Sequence, residues 1–195
     1  VSHTSVRVVS PPSKGKFYWK LIGARKALRE HQIDLYHGLA HQIPKSVRLS
    51  TVPKVVTIHD LIYLHHPEFS PEDDLDQYDR ELRAACSISD RIIAVSESTK
   101  RDLIRFFSIS PEKISVVYSG CDVRFRTKVS EKEKIRIRKK YRLPDKYLLY
   151  VGSMAARKNL LVIIKAIREI PLEDRIPLVI IGNKTDYSKT VFEYA

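Results

Sequence analysis

Short apolar runs recur along the chain, and segments with helical periodicity lie between many of them. Most of these runs are continuous rather than alternating, as is typical of strands that are covered on both faces. Strands and helices that follow one another at this spacing predict a parallel α/β fold. The predicted strands span residues 6–9, 34–36, 55–58, 91–95, 114–118, 147–151 and 178–181. The predicted helices span residues 16–30, 76–87, 98–107 and 159–169.

The alternation breaks between residues 119 and 145, where a charged stretch separates two predicted strands. We therefore predict one α/β domain in 1–122, a linker with the first helix of the next domain in 123–145, and the start of a second α/β domain in 146–195. The run 132–142 interleaves Ile135 and Ile137 with charges, which favours a solvated linker and helix over a nucleic-acid-binding patch.

The second predicted domain has room for only two strands and their helices. Because a doubly wound domain usually needs on the order of 100 residues, we expect this domain to be incomplete in the sequence. The sequence opens at Val1 without an initiator methionine, so we also expect it to start within a longer protein.

The composition is strongly basic, with 35 Lys and Arg against 23 Asp and Glu and a net charge of +12. Such a surface attracts nucleotides, nucleic acid or acidic lipid headgroups, and charge alone does not choose among them. We find no aromatic RNA-binding signature and no helix-turn-helix pattern, so we predict no nucleic-acid partner. Peripheral association with an acidic membrane is compatible with the charge.

Cysteine usage and hydropathy indicate the compartment. Cys86 and Cys121 form no CxxC pair, which fits a reducing environment. No apolar run approaches the ~20 residues of a membrane helix, and the N-terminus lacks a signal-peptide pattern. We predict a cytoplasmic protein, with the inner face of the membrane as a second location.

Polar and small residues follow most of the predicted strands. In open parallel sheets the ligand crevice lies beyond the carboxyl ends of the strands, so these residues are the candidates for a site. They are His59 and Asp60, Ser96 to Ser98, Ser119 to Asp122 with Gly120, Gly152 and Ser153, and Gly182 and Asn183.

The turn from Gly152 to Asn159 leads from a strand into a helix predicted to start near Asn159. Arg157 and Lys158 stand at that helix N-terminus, where the macrodipole disfavours a cation by roughly 0.3–1 kcal/mol. A bound diphosphate would make cations favourable at this position, because it accepts hydrogen bonds from free N–H groups and attracts both cations. The alternative is an exposed basic turn without a ligand.

A histidine at the end of an apolar strand can donate to a sugar hydroxyl or transfer a proton near neutral pH. His59 is placed for that role, and Asp60 would orient it or line an acceptor site. The alternative is a histidine satisfied by local backbone. Nearby His65, His66 and Glu68 lack the spacing of a helical metal pair, so we predict no metal.

Serines and glycines in the other turns have ordinary structural explanations. Ser96 or Ser98 is expected to cap the following helix, although both could contact a ligand. Gly120 and Gly182 are expected either to adopt positive φ or to permit the close approach of a ligand.

Five segments, in this order, resemble the family 4 glycosyltransferases, also called glycosyl transferases group 1. The resemblance extends from about Leu35 to the end of the sequence, and the ordered set is more specific than any single motif. The segments are VVTIHDLIYLHHPEF (55–69), DRIIAVSESTKRDLIRFF (90–107), PEKISVVYSGCD (111–122), YLLYVGSMAARKNLLVIIKAI (147–167) and PLVIIGNKT (177–185).

The resemblance implies a GT-B fold, in which two Rossmann-like domains face each other across a cleft. The N-terminal domain would bind a glycan or lipid-linked acceptor, and the C-terminal domain a UDP- or GDP-linked sugar. It implies a hexosyltransferase-type enzyme of polysaccharide biosynthesis that retains anomeric configuration and needs neither metal nor cofactor.

The resemblance also assigns roles to individual residues. Arg157 and Lys158 would bind the donor diphosphate together with Gly152 and Ser153, and His59 would lie near the transferred sugar as the catalytic residue. The expected cleft-lining residues are Asp60, Ser96 and Gly120.

Two departures qualify these implications. Many members carry Arg where this chain has Ser153, and the family's Glu-containing donor motif lies beyond Ala195. We therefore expect the parent protein to be the enzyme and this segment alone to lack activity. The alternatives are a GT-B sugar-nucleotide epimerase or phosphorylase and, in a different class, a basic non-catalytic binding module.

Overall fold

A computed structural model describes residues 8–9, 15–69 and 75–194. The chain divides into two compact units, one ending at Gly120 and the other beginning at Cys121. The predicted boundary at residue 122 lies two residues beyond this division.

The first unit is built on a four-stranded parallel sheet with strand order β1-β2-β3-β4. The strands are β1 (Tyr36–Gly38), β2 (Lys54–Ile58), β3 (Arg91–Ala94) and β4 (Ile114–Val116). Val56 pairs with Gly38 on one side and with Ile92 on the other, so the carboxyl ends of β1, β2 and β3 lie at one edge.

Helices connect these strands. They are α1 (Gly15–Tyr18), α2 (Ala24–Glu30), α3 (Lys45–Arg48), α4 (Ile62–His65), α5 (Leu75–Ile88) and α6 (Glu97–Phe107). A π-helical turn, Trp19–Gly23, joins α1 to α2, and the Ala24 amide donates to the Trp19 carbonyl across it. The predicted helix over 16–30 therefore forms, with a local widening that its apolar periodicity does not indicate.

The buried core of the first unit centres on one face of the sheet, because Val56 pairs with Ile92 and Ile58 lies two residues further along the same strand. Val56, Ile58 and Ile92 are fully buried strand residues, and Leu82 and Leu103 reach them from α5 and α6. Burial also raises the pKa of the Cys86 thiol to about 12, so this cysteine behaves as a small apolar side chain.

The second unit contains a two-stranded parallel sheet, β5 (Leu148–Val151) paired with β6 (Leu178–Ile181). Its helices are α7 (Glu131–Tyr141), α8 (Leu160–Arg168) and α9 (Tyr187–Tyr194). Met154, Leu160, Ile164 and Val191 form its buried cluster, which packs against Tyr150, Leu178 and Ile180 on one face of the sheet. On the alternate positions, Leu149, Val151 and Ile181 are more than half exposed.

Helix α7 confirms the prediction of a solvated helix in the charged stretch. Its N-cap Ser130 accepts from the Glu133 amide, and its side chains form exposed ion pairs such as Arg136 with Glu133 at 2.6 Å. Such pairs contribute little to stability individually, and α7 buries no residue.

Three strand predictions differ from the structure by two residues or more, and one of them, 114–118, continues two residues past the end of β4 at Val116. The first strand of the sheet spans Tyr36–Gly38 rather than 34–36, because the Tyr36 amide donates to the Pro53 carbonyl and sets the register two residues later. The predicted strand 6–9 begins outside the described residues, and Val8 and Val9 do not lie in a strand.

Within the part of the chain that the structure describes, none of the helices combines the length and the apolar composition needed to cross a bilayer.

Candidate functional site

His59 follows β2 directly and is held by two neighbouring elements, the loop after β1 and α6. Its Nε2 lies 2.9 Å from the Leu39 carbonyl oxygen, in the loop after β1. Because a carbonyl only accepts, Nε2 carries the proton, and Nδ1 of the neutral ring remains an acceptor. The His59 carbonyl accepts from the Thr99 hydroxyl at 3.1 Å, which ties it to α6.

His41 lies beside His59, with their ring centroids 5.3 Å apart. Its backbone adopts a left-handed conformation with φ of 61°, and its amide donates to the Thr57 carbonyl at 3.1 Å. Burial lowers the pKa of His41 and the neighbouring His59 lowers it further, while Asp60 opposes both effects. The net effect favours the neutral form of the His41 ring, which lies next to the exposed His59.

Tyr78 completes this cluster from α5. Its hydroxyl lies 3.2 Å from Nδ1 of His41, and burial, assisted by the Asp60 charge, raises the pKa of Tyr78. The sequence analysis identified neither His41 nor Tyr78. His41 follows a strand whose end was predicted two residues too early, and nothing in the sequence brings residue 78 to residue 41.

Asp60 does not orient His59, and that expectation is wrong. Its Oδ1 accepts from the Ile62 amide at 3.2 Å at the start of α4, and the described residues contain no hydrogen bond between the two side chains. The Leu39 carbonyl orients the imidazole instead. Asp60 is exposed next to the cluster, so a role in lining the site stays a prediction.

Ser96 caps α6, as the sequence analysis expected for one of the two serines. Its hydroxyl accepts from the Thr99 amide at 3.1 Å and lies 2.9 Å from the Thr99 hydroxyl. Ser98 is exposed on the first turn. Ser96 thus connects to His59 through Thr99, since the same Thr99 hydroxyl donates to the His59 carbonyl.

The two glycine predictions come out differently. Gly120 does not have positive φ, and a Cβ added there would meet no atom within 4 Å, so the expectation of a constrained turn is wrong. At Gly182 a Cβ would overlap the carbonyl of Gly152, so β5 and β6 approach each other there through backbone. The constraint on Gly182 is this neighbour rather than positive φ.

The adjacent histidines at the end of α4 pair with separate carboxylates. His65 Nε2 lies 3.1 Å from Asp102, and His66 Nδ1 lies 3.0 Å from Glu68. Among the described residues there is no group of three or more His, Cys, Asp or Glu side chains placed to hold a metal ion. Metal independence of the reaction remains a prediction.

In the second unit, the turn after β5 places Arg157 and Lys158 before α8. Gly152 has φ of 155° and donates its amide to Ile181, and the Ser153 carbonyl accepts from the Tyr150 hydroxyl at 3.0 Å. Arg157 and Lys158 lie in a 3₁₀ turn, Ala156–Lys158, and Asn159 follows in a left-handed conformation as N-cap. The helix begins at Leu160, one residue later than predicted.

The surroundings of Arg157 and Lys158 favour an anion. Both side chains are exposed, and no carboxylate of the described residues pairs with either. The N-cap Asn159 makes no side-chain hydrogen bond to α8, and the first turn of α8 contains no acidic residue. A helix N-terminus with free amides and two adjacent cations attracts a phosphate group.

Relatives with curated names and solved structures resemble this chain over most of its length. The O-antigen chain mannosyltransferase B of Escherichia coli is 28% identical over 159 residues, which are 80% of this chain and 40% of that protein. The chain thus spans less than half the length of this relative.

Two solved structures show the same fold. Anabaena Alr3699/HepE in complex with UDP and glucose matches with a TM-score of 0.63 and 18% identity, covering 88% of this chain and 46% of that one. WaaG, a glycosyltransferase involved in lipopolysaccharide biosynthesis, matches with a TM-score of 0.58 and 17% identity over 95% of this chain and 52% of that one. These matches confirm the prediction of a GT-B-type parallel α/β fold.

The sequence profile of Glycosyltransferase Family 4 matches residues 1–125, which is more than half of the chain. Five ordered motifs, the parallel α/β architecture and this match agree, so the chain belongs to Glycosyltransferase Family 4.

Proposed function

We propose that the protein transfers a sugar from a nucleoside-diphosphate sugar to a hydroxyl group of a glycan or lipid-linked acceptor. Membership of the family, a mannosyltransferase relative and a structural neighbour that binds UDP and glucose support the proposal. The observation that carries it is the N-terminus of α8, where exposed Arg157 and Lys158 precede an N-cap without a side-chain bond.

The donor diphosphate is proposed to bind in the turn from Gly152 to Asn159. Cleavage of the bond between the sugar and the diphosphate leaves negative charge on the departing phosphate. Arg157 and Lys158 would stabilise that charge together with the first amides of α8, and donors that a helix holds in place as it holds these amides commonly contribute several kcal/mol to catalysis. Gly152 and Ser153 would allow the phosphates to approach the backbone.

His59 is proposed to contact the transferred sugar in the first unit. Its Nε2 is already bonded to the Leu39 carbonyl, so Nδ1 is the ring nitrogen that remains for a sugar hydroxyl. In the neutral ring this atom accepts the hydroxyl proton rather than donating. Asp60 and His41 flank this position, and the proposal gives them contacts to the sugar or the acceptor.

A thermal-shift panel on the full-length protein tests the donor site. UDP, GDP and their sugar conjugates are compared, and one nucleotide series is expected to stabilise the protein by mass action. Arg157→Ala with Lys158→Ala should abolish that shift. Lys132→Ala with Lys139→Ala removes the same charge from exposed positions on α7 and should preserve it. No shift with any nucleotide, in a folded protein, would contradict the donor assignment.

Transfer assays test His59. Loss of a hydrogen bond that strengthens in the transition state should lower kcat of His59→Ala by roughly tenfold to a hundredfold. His31→Ala, at the end of α2, is the matched control and should be unchanged. Equal rates for His59→Ala and the parent protein would remove His59 from the mechanism.

Product analysis addresses the finer points of the proposal. We propose a hexosyl donor, retention of anomeric configuration, and a rate that is unchanged by EDTA. Nucleotide-sugar conversion without an acceptor would indicate an epimerase, and phosphate-dependent release of a sugar phosphate would indicate a phosphorylase. Nucleotide-independent binding to acidic partners would indicate the basic non-catalytic module.

A further inference from the structure

The donor turn, which runs from Gly152 to Asn159, is anchored near both ends in one apolar cluster of the second unit. Met154 is 5% exposed, and Leu160, the first residue of α8, is fully buried; both belong to the same buried cluster as Ile164. The basic 3₁₀ turn lies between these two anchors and is exposed. Its position therefore depends on where the backbone of Met154 is held.

The loop after β6 holds the backbone of Met154 on both sides. The Met154 amide donates to the Asn183 carbonyl at 3.0 Å, and the Met154 carbonyl accepts from the Thr185 hydroxyl. Thr185 lies 31 positions further along the chain, so this bond joins the donor turn to a separate segment. The sequence analysis assigned no role to Thr185.

Beyond Met154, the backbone hydrogen bonds of the donor turn are local in the part of the chain that the structure describes. The Lys158 amide donates to the Ala155 carbonyl and the Asn159 amide to the Ala156 carbonyl, both at 2.9 Å. Bonds of this 3₁₀ type maintain the shape of the turn but do not attach it to the rest of the unit. A shift of the Met154 backbone would therefore move the two cations as well.

Thr185 is itself held in place by α9. The Ser188 amide and hydroxyl both donate to the Thr185 carbonyl, at 2.9 Å and 2.6 Å, and Ser188 is 5% exposed. Val191, further along α9, is fully buried in the cluster that contains Met154. Thr185 is exposed, so water can take the place of its hydroxyl if the side chain is changed. The contribution of this hydroxyl is therefore expected in the position of the turn more than in stability.

We propose that Thr185 is a positioning residue for the proposed glycosyl transfer. Its hydroxyl holds the Met154 carbonyl, and this fixes the backbone from which Arg157 and Lys158 reach the leaving diphosphate. Charge on that diphosphate grows in the transition state, so a small displacement of the turn affects the reaction more than the binding of the intact donor. The inference rests on the proposed function and adds a residue that does not itself touch the substrate.

Steady-state transfer kinetics of the full-length protein test the inference. Thr185→Val removes the hydroxyl and retains the branched shape, and it should lower kcat/KM by about threefold to tenfold, with the larger share in kcat. Thr185→Ser retains the hydroxyl and should restore kcat to within about twofold of the parent protein. Equal kcat for Thr185→Val and the parent, or no recovery in Thr185→Ser, would overturn the proposal.

Thr127 provides the matched control in the second unit. Its hydroxyl donates to the Val123 carbonyl at 3.3 Å from an exposed position, and Thr127→Val should leave kcat unchanged. Both valine variants should unfold at the same urea concentration as the parent protein, because water can replace each hydroxyl. If Thr185→Val does not fold, Thr185→Ala removes the same hydroxyl with less bulk and has the same kinetic expectation.

A double-mutant cycle separates positioning of the cations from an independent effect. Thr185→Val should lower kcat by a smaller factor in an Arg157→Ala background than in the parent protein, since the two changes act on the same interaction. An equal factor in both backgrounds would contradict the inference.

The same experiments distinguish failure of this inference from failure of the proposed function. Absence of transfer by the parent protein, together with no thermal shift from UDP or GDP, would reject the proposed function itself. Normal transfer by the parent protein and by Thr185→Val would reject the positioning role of Thr185 alone.

Discussion

The two units of the chain present their candidate residues in different surroundings. In the first unit, His59, Ser96 and Thr99 are joined by hydrogen bonds across β2 and α6, next to the buried core of a four-stranded sheet. In the second, Arg157 and Lys158 are exposed on a turn of a two-stranded sheet with one apolar face uncovered.

This difference indicates how each site acquires its geometry. The imidazole of His59 is positioned by protein atoms before any ligand binds, so little ordering would accompany the proposed sugar binding there. The two cations have no protein partner within the described residues, so the anion itself would order them. We therefore expect substitutions in the first unit to act through stability as well as activity, and those at Arg157 and Lys158 to act through ligand binding and catalysis with little effect on stability.

The largest difference between the two units is expected when one apolar side chain in each is truncated to alanine. Leu103 is fully buried on α6, so Leu103→Ala should lower the free energy of unfolding by about 2–5 kcal/mol through lost contacts and a cavity. Leu149 on β5 is 55% exposed, and Leu149→Ala should change it by less than about 0.5 kcal/mol. Urea unfolding followed by circular dichroism measures both, with the fluorescence of Trp19 reporting on the first unit.

A large loss in the free energy of unfolding for Leu149→Ala would contradict this difference between the two units. It would mean that the apolar face of the β5-β6 sheet is covered in solution. Such a result would also raise the expected rigidity of the donor turn, which follows β5 directly.

Much of the fold could be predicted from the sequence, because short continuous apolar runs mark most of the strands locally. The runs at Val55 and Leu178 begin within one residue of β2 and β6, since their apolar residues coincide with the paired positions. The first strand was misplaced because its paired positions include His37 and Gly38, which the apolar pattern does not mark.

The candidate sites also divide into residues that a local pattern indicates and residues that only tertiary packing brings together. Arg157 and Lys158 are adjacent in sequence to the strand and helix that define their role, so a local pattern indicates them. The contact between His41 and Tyr78 joins residues that are 37 positions apart, and the hydrogen bond from Thr99 to His59 joins residues that are 40 apart. Such arrangements depend on tertiary packing, which periodicity and turn chemistry do not report.

A glycine pair tests the packing of the second unit. Gly182→Ala would force a Cβ into the Gly152 carbonyl, and the backbone shift should cost about 1–3 kcal/mol. Gly120→Ala meets open space and should be close to neutral. Amide hydrogen exchange of β5 and β6 measures the effect of Gly182→Ala. Unchanged protection of these amides would show that the backbone accommodates the added Cβ without loss of stability.

A carboxylate network in the first unit predicts a pH dependence. The Tyr63 hydroxyl donates to Asp79 at 2.6 Å, and Arg83 donates to the other oxygen at 2.6 Å. Burial alone would raise the pKa of Asp79, but these two hydrogen bonds outweigh it and lower the pKa. Stability from Asp79 is therefore present above its unfolded pKa and is lost as the pH falls below about 4.

Tyr63→Phe isolates one of these bonds. It should lower the free energy of unfolding by about 1–2 kcal/mol at pH 7 and flatten its decline between about pH 4 and 2. Urea titrations at both ends of that range measure the effect. If the free energy of unfolding falls with pH as steeply in Tyr63→Phe as in the parent protein, other carboxylates cause the acid sensitivity.

The smallest effect expected is the loss of the α6 cap, and it decides between two roles of Ser96. Ser96→Ala should cost about 1 kcal/mol because the Thr99 amide loses its acceptor, whereas Ser98→Ala, exposed on the same turn, should cost almost nothing. Ser96→Asp retains an oxygen acceptor at the N-terminus and should restore stability. If Ser96→Asp recovers stability but not kcat, the Ser96 hydroxyl contacts substrate as well as capping the helix; recovery of both would limit Ser96 to holding Thr99, and through it the carbonyl of His59.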